Sequence, residues 1–201
     1  CHQLNQLHLS SCTALSANTF SALANCPLEK LVVVEDSFDD DGPHWMTAED
    51  TLMDLTRFDR LTSLSITNPT HKFARRLLTT TTAITSTATI DNDGDTPPWP
   101  HLARFFLNNC PDIDDECMVA FLKTHQHIDD LALYGCNLTD TTLNAIASYL
   151  PGLTSLDIYY NPGISAKGIR RVVLNCPLLT YMNLEDCSMT SIELPDMFDD
   201  D

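Results

Sequence analysis

Cysteine and histidine are the residues of this chain whose chemistry would include metal binding. The 201-residue sequence contains 8 cysteines and 7 histidines. A structural zinc site needs four converging ligands, commonly supplied as pairs at short spacing. No CxxC pair occurs, and neither His2, His8 and Cys12 nor His125 with His127 makes up four ligands. We therefore expect neither a metal site nor a bound cofactor.

Nucleophilic catalysis would need a cysteine or serine in a recognisable context. The sequence has no GxSxG elbow, no phosphate-binding glycine loop and no family-specific cysteine motif, and its 6 glycines are scattered. We expect a protein that is not an enzyme. An intracellular hydrolase that uses the histidines and cysteines ranks third among the hypotheses.

An acidic run at residues 91–95 resembles a calcium-binding loop. An EF-hand loop that starts there would need glycine at its sixth position and glutamate at its twelfth. The sequence has Thr96 and Leu102 at those positions. The run is therefore predicted to be a solvated acidic turn.

A phrase of the form LxxLxLxxC, with tolerated substitutions, occurs seven times in the sequence. Its copies begin at Leu4, Leu28, Leu61, Leu102, Ile128, Leu153 and Leu179. The closing position holds Cys12, Asp36, Pro69, Cys110, Cys136, Asn161 and Cys187. This is the phrase of the leucine-rich repeat, with its Asn or Cys column. Because one repeat cannot bury its apolar face alone, the repeats must stack into a solenoid.

Each phrase predicts a short strand that ends in a turn. Leu131 and Leu133 would point to one face of their strand, and Ala132 and Tyr134 to the other. At the turn, the Cys or Asn side chain can meet backbone groups of the neighbouring repeat. We expect this column to form an internal ladder in which a thiol is a small, mostly apolar filler.

The second half of each repeat is predicted to be a helix. Apolar residues recur at helical spacing in residues 16–27, 139–151 and 165–177, and each segment ends in proline. A helix capped at Thr47 and running to about Phe58, and another over residues 72–78, are also predicted. The fold class is therefore α/β: a leucine-rich-repeat horseshoe with parallel strands on the concave face and helices on the convex face.

We expect residues 1–195 to form one leucine-rich-repeat domain of about seven repeats, followed by an acidic tail at residues 196–201. Two repeats carry insertions, near residues 37–46 and 70–100. The second insertion contains a threonine-rich run at residues 79–89 and then a loop rich in Asp, Gly and Pro. Loops of this length are either functional or mobile.

Most of the cysteines have a structural position in this scheme. Four belong to the closing column, Cys26 and Cys176 end helices, Cys117 lies on an inward helical position, and Cys1 has no assigned role. Free thiols are expected over disulfides, which places the protein in a reducing compartment, cytoplasmic or nuclear. No stretch is long and apolar enough for a transmembrane helix.

The cysteine column, the apolar-then-Ser/Thr phrase that follows it and the helix ends Cys26-Pro27 and Cys176-Pro177 carry a more specific resemblance. They resemble the cysteine-containing leucine-rich repeats of F-box proteins, the substrate receptors of cullin-RING ubiquitin ligases. The resemblance implies a protein substrate on the concave face, and a Skp adaptor and a cullin bound through an F-box. We expect that F-box to precede Cys1 in a longer protein. A stand-alone repeat scaffold or inhibitor without any link to ubiquitin is the alternative.

The strand positions beside the core leucines project onto the concave face in three columns. We predict that partners bind the following residues there: Lys30, Arg104, Phe106, Tyr134, Tyr159 and Tyr181. Exposed aromatic rings are the usual anchors of protein interfaces. Two alternatives are that the rings fold against neighbouring strands, or that segments outside this sequence cover them. Lys30 and Arg104 would suit an acidic or phosphorylated peptide, although two cations are fewer than such sites use.

The charge of the chain limits its partners. With 28 acidic against 11 basic residues, the formal net charge is −17. Such a charge opposes nucleic acid or an anionic membrane as the main partner. Attraction of a basic partner is a secondary hypothesis.

Overall fold

The computed structural model describes residues 2–16, 18–35, 44–69, 72–87 and 97–187. Its strands form one parallel sheet of seven strands, arranged in sequence order. The strands are β1 (Gln6–Ser10), β2 (Lys30–Val34), β3 (Ser63–Thr67), β4 (Arg104–Asn108), β5 (Asp130–Tyr134), β6 (Ser155–Asp157) and β7 (Tyr181–Asn183). Each strand falls on one of the seven predicted phrases.

The strands pair in phase, so equivalent positions of the phrase are neighbours. One row across the sheet consists of Leu7, Leu31, Leu64, Phe105, Leu131, Leu156 and Met182. These side chains point to the core and alternate with residues on the concave face, as the pattern predicts. Burial is complete in the central strands, whereas Leu7 and Met182 in the outermost strands are only half-buried.

Helices cover the other side of the sheet. They are α1 (Thr19–Leu23), α2 (His44–Thr47), α3 (Glu49–Leu55), α4 (Phe73–Thr87), α5 (Asp115–Thr124), α6 (Asp140–Tyr149) and α7 (Ala166–Asn175). From α3 onward, each helix packs on the next in sequence order. The core therefore lies between one layer of strands and one layer of helices, with a strand and at least one helix in each complete turn of the solenoid.

The helices α3 and α4 differ from those that the sequence predicts. The predicted cap at Thr47 is wrong, because Thr47 ends α2 and the N-cap of α3 is Ala48, whose side chain makes no capping hydrogen bond. Glu49 and Asp50 still place two acidic residues in the first turn, where the helix dipole favours them.

The helix predicted over residues 72–78 is longer in the structure, because α4 continues through the threonine-rich run to Thr87. The hydroxyls of Thr79, Thr81 and Thr82 donate to carbonyls within the helix. The hydroxyl of Thr79 donates to the Arg75 carbonyl at 2.9 Å, and that of Thr81 donates to Leu78 at 2.7 Å. Such back-bonding lets threonine remain in a helix despite its modest propensity.

In the last three repeats, at Cys136, Asn161 and Cys187, the closing column forms the predicted ladder to the preceding repeat. The amide of Asn161 donates to Leu133 O at 2.6 Å and to Ile158 O at 2.9 Å, and its oxygen accepts from Leu138 N at 3.1 Å. The thiol of Cys187 likewise donates to Ile158 O at 3.3 Å. These side chains tie a strand end to the preceding repeat. The cysteines of the described residues are free thiols.

A second ladder, which the sequence analysis did not identify, joins the helix N-termini. The Asp115 carboxylate accepts from the backbone N–H and hydroxyl of Thr139, at 3.1 and 2.6 Å, and from those of Thr142, at 3.2 and 2.6 Å. Asp140 repeats the arrangement on Ser165, at 2.8 and 2.5 Å. Burial alone would raise the pKa of Asp115, but the hydrogen bonds from Thr139 and Thr142 outweigh burial and hold that pKa below its usual range.

A buried tryptophan stands at the described end of each insertion. Trp45 is packed between Phe20 and Phe73, and its indole N–H donates to Cys12 O at 3.0 Å. The indole of Trp99 donates to Leu55 O at 2.9 Å. Both rings are buried, so each one fixes the place where its insertion joins the core.

His125 packs where the second insertion joins the core. Its ring stacks on Phe121 at 4.1 Å between centroids, and Nε2 lies 2.9 Å from the Pro98 carbonyl oxygen. Burial lowers the pKa of His125 despite these hydrogen bonds. The side chain therefore lies in the core, where burial favours the neutral ring.

Among the helices that the structure describes, none is long and apolar enough to cross a membrane.

Candidate protein-binding surface

The register places the three predicted columns on the concave face. The first column is Gln6, Lys30, Ser63, Arg104, Asp130, Ser155 and Tyr181. The second is His8, Val32, Ser65, Phe106, Ala132, Asp157 and Asn183. The third pairs Ser10, Val34, Thr67, Asn108 and Tyr134 across the first five strands. Tyr159 continues it beyond the end of β6, where its carbonyl accepts from Gly135 N at 3.1 Å.

Three tyrosines meet at the carboxyl ends of β5 and β6. The rings of Tyr134 and Tyr159 stack at 4.7 Å between centroids and 8° between planes. The ring of Tyr160 lies 6.2 Å from Tyr134 and 6.1 Å from Tyr159, tilted by 43° and 42°. We call Tyr134, Tyr159 and Tyr160 the tyrosine cluster. Stacked and tilted rings at these separations attract one another.

Sequence reasoning missed Tyr160, because alternation along a strand assigns consecutive residues to opposite faces. The backbone leaves the strand geometry here and Tyr160 adopts a φ of 58°. The residue before the closing column adopts a positive φ in several other repeats, at Ser11, Asn68, Asn109, Gly135 and Asp186. The signal was therefore present in the phrase as a recurring Asn, Gly, Asp or Ser, the residues that tolerate such turns.

Tyr160 is the exception among these turn residues. A bulky side chain in the left-handed region is strained, and the surrounding structure must hold it there. Its backbone N–H donates to Glu185 O at 3.0 Å, which fixes the turn against the next repeat. The side chain remains 56% exposed, so burial in the core does not offset the strain.

Carboxylates surround the tyrosine cluster. Oδ1 of Asp157 accepts from the backbone N–H of Tyr159 at 3.1 Å. The hydroxyl of Tyr159 is hydrogen-bonded to Asp186, and this bond, with burial and the charges of Asp186 and Glu185, raises the pKa of Tyr159. Residues 128–166 contain no Lys, Arg or His, and neither do residues 178–187. The local potential is therefore negative.

Phe106 and Tyr181 do not join the cluster. The register places half-buried Phe106 between Ser65 and Ala132, and Tyr181 beside Ser155 at the opposite end of the strands. Within the described residues, neither ring contacts the tyrosine cluster. Tyr181 is 54% exposed. The four predicted aromatics therefore form one stacked pair and two separate residues.

The two predicted cations do not converge either. Lys30 and Arg104 are exposed, but Ser63 lies between them in the first column and is only 4% exposed. Two strand spacings, about 9.6 Å, therefore separate their backbones. Arg104 also neighbours Asp130 in that column. This arrangement does not supply the clustered cations with which proteins recognise phosphate.

Within the described ranges, no group of three or more His, Cys, Asp or Glu side chains is placed to hold a metal ion. The acidic run at 91–95, Cys1 and the tail at 196–201 lie outside the described residues.

No protein-family model matches the sequence, and neither does any curated protein. The solved structures that share the fold include the following two. Rad7 from yeast, solved in complex with Elc1, has a TM-score of 0.56 and 16% identity, over 96% of this chain and 54% of that chain. An internalin from Listeria monocytogenes has a TM-score of 0.56 and 15% identity, over 98% of this chain and 46% of that chain.

The fold is a leucine-rich-repeat solenoid. Both similar structures are of this type, and the seven parallel strands in one open sheet agree with them. The chain spans about half the length of each solved chain that it matches. The fold class predicted from the repeat phrase is thereby confirmed, whereas membership of the F-box group remains a prediction.

Proposed function

We propose that this chain is a protein-interaction module that binds a protein partner on its concave face, with the tyrosine cluster as the anchor. The observation that carries the proposal is the stacked pair of Tyr134 and Tyr159, with Tyr160 held exposed beside it at a positive φ. Tyrosine buries a large area on binding and loses little side-chain entropy, which is why it dominates interface energies. The leucine-rich-repeat fold also supports protein binding, since its extended face suits a protein partner.

The finer proposal is that the module is the substrate-recognition part of a Skp-cullin-F-box ubiquitin ligase. Its support is the resemblance of the cysteine-column phrase and the Cys-Pro helix ends to F-box proteins. The similar protein Rad7 was itself solved in a complex with Elc1. In this role the longer protein binds the Skp adaptor and a cullin through its F-box, in a cytoplasmic or nuclear compartment. The module contributes proximity and orientation, not bond chemistry.

A stand-alone repeat scaffold or inhibitor is the second candidate. The internalin matches with the same TM-score of 0.56 as Rad7. The shared fold therefore favours neither candidate over the other.

Affinity capture of the full-length protein from its own cells, followed by mass spectrometry, separates the two. Stoichiometric recovery of a Skp adaptor and a cullin is the expected result for a ligase receptor. Recovery of other partners without either of them would remove ubiquitin from the function and leave a scaffold. Loss of those other partners on substitution of the tyrosine cluster would still support binding by the concave face.

A further inference from the structure

We propose that the tyrosine cluster and the carboxylates beside it bind a basic side chain, arginine or lysine, in an extended segment of the partner protein. This inference rests on the proposed function, because it names the chemistry that the same concave face would recognise. It concerns Tyr160, Asp157 and Asp186, to which the sequence pattern gave no role.

The rings provide the geometry that a cation needs. A guanidinium or ammonium group is attracted to the face of an aromatic ring within about 6 Å of its centroid. The ring of Tyr160 lies 6.2 and 6.1 Å from the two stacked rings, so it flanks the stack and is tilted against it by 43° and 42°. Each stacked ring has one face covered by the other, whereas Tyr160 is 56% exposed and offers an open ring to a cation.

The carboxylates provide the charge. Asp157 and Asp186 each contribute to a hydrogen bond of Tyr159, but a carboxylate can accept about four such bonds, so capacity remains for a ligand. Glu185 adds a third acid next to Asp186. None of the ion pairs formed by the described residues involves these three acids. The nearest cations of the concave columns are Arg104 and Lys30, on β4 and β2.

This combination selects a basic partner over the alternatives. An acidic or phosphorylated segment would meet carboxylates with no intervening cation, which costs free energy. A purely apolar segment would leave those carboxylates partly desolvated and unpaired. An arginine or lysine satisfies both the rings and the acids, and its aliphatic stem can lie along a tyrosine face.

The test uses the full-length protein and labelled nonapeptide pools, randomised except for one fixed central residue. The fixed residue is Arg, Lys, Gln, Leu or Glu, and binding is followed by fluorescence anisotropy. The Arg or Lys pool should bind at least fivefold more tightly than the Gln and Leu pools, and the Glu pool most weakly.

Two variants test whether the tyrosine cluster and its carboxylates cause the preference for a basic residue. Y160N removes the ring, and asparagine accepts a positive φ more readily than tyrosine, so the melting temperature should be equal or higher while the Arg preference is lost. D157N with D186N removes two charges and keeps an oxygen acceptor at each position, and should weaken the Arg pool at least threefold.

The matched control is D50N with E116Q, which removes the same charge from the exposed first turns of α3 and α5. It should change binding of the Arg pool by less than twofold. Equal effects of the control and of D157N with D186N would mean non-specific attraction to an acidic protein and would overturn the proposal. So would a Gln or Leu pool that binds as tightly as the Arg pool.

The outcome is independent of the ligase proposal. Recovery of the Skp adaptor and cullin depends on the predicted F-box, so Y160N should leave it unchanged. In the wild-type protein, recovery of the adaptor without any preference for the Arg or Lys pool would refute only the basic ligand. Retained preference with no adaptor would refute only the ligase role.

Discussion

At the residue scale, Tyr134 and Tyr159 act as a pair. Their stacked rings are each half-buried against the other, so removing one changes the surroundings of the second. Energies of residues in contact are not additive. The contribution of the pair to binding must therefore be measured as a cycle of single and double substitutions.

Tyr134→Ala and Tyr159→Ala should each weaken binding of the captured partner by more than about 1 kcal/mol, because each removes an interface ring. The double variant should lose less than the sum of the two single losses. Titration calorimetry with the purified partner measures these values. Leu174→Ala, at an exposed position on α7, is the control and should bind normally. Unaltered affinity in the double variant would show that the partner binds elsewhere than at the tyrosine cluster.

His125 makes stability depend on pH. Burial lowers its pKa from the ordinary value of 6.5, so the unfolded chain binds a proton more readily than the folded one does. Stability contributed by the neutral ring is complete above pH 6.5 and is lost as pH falls from there toward the folded pKa. Urea unfolding at pH 7.5 and pH 5.5 should therefore show a smaller free energy of unfolding at the lower pH.

His125→Gln should reduce both the stability and this pH dependence. The exposed His101 gives a matched control, since His101→Gln should retain the full dependence. The same pH profile in wild type and His125→Gln would assign the effect to other groups.

At the element scale, Gly168 sets how closely α6 and α7 approach. A Cβ atom at this position would lie 2.7 Å from Cγ of Asp140 and 2.8 Å from Cδ1 of Leu143. Asp140 is also the carboxylate that joins α6 to Ser165. The close packing of the two helices, and the hydrogen bonds between Ser165 and Asp140, therefore depend on glycine having no side chain at position 168.

Gly168→Ala should destabilise the protein by about 1–3 kcal/mol, because overpacking outweighs the gain in helix propensity. Denaturant unfolding measures the difference. Gly152→Ala is the matched control, since nothing lies within 4 Å of a Cβ there, and it should change stability by less than about 0.5 kcal/mol. Equal stabilities of the two variants would show that α7 can shift without cost.

The strands and the closing column were predictable, whereas the second ladder and the position of Tyr160 were not, for a physical reason. Each strand repeats the same apolar spacing, so seven copies of a weak signal reinforce one another. The ladder from Asp115 to Thr139 joins residues of different repeats by side-chain hydrogen bonds, and no spacing within one repeat records it. Tyr160 was missed similarly, because a single positive φ reverses the face that alternation assigns.

At the scale of the whole molecule, stability is not uniform along the solenoid. In a solenoid each repeat contacts only its neighbours, and in this 201-residue chain β1 and β7 each pair with one described strand, whereas the strands between them pair with two. Leu7 in β1 and Met182 in β7 are half-buried, whereas Phe105 in β4 and Leu131 in β5 are fully buried. Opening should therefore begin at the two outer strands.

Amide hydrogen exchange should show this gradient directly. Protection is expected to be highest in β4 and β5 and lowest in β1 and β7, because the inner strands open only when neighbouring repeats open. Peptide-resolved exchange followed by mass spectrometry measures it. Uniform protection from β1 to β7 would instead indicate a single cooperative unit.

The tryptophans and the stacked tyrosines should give optical signals for two different events. The chain has 2 tryptophans, and both are buried where the insertions join the core. Their indole N–H groups bond to carbonyls of Cys12 and Leu55, and neither ring contacts the tyrosine cluster. Tryptophan fluorescence should therefore change when the insertions detach from the core, and it should not change when a ligand binds the tyrosine cluster. Ultraviolet absorption by the stacked tyrosines should change with the ligand, so one unlabelled sample can distinguish the two events.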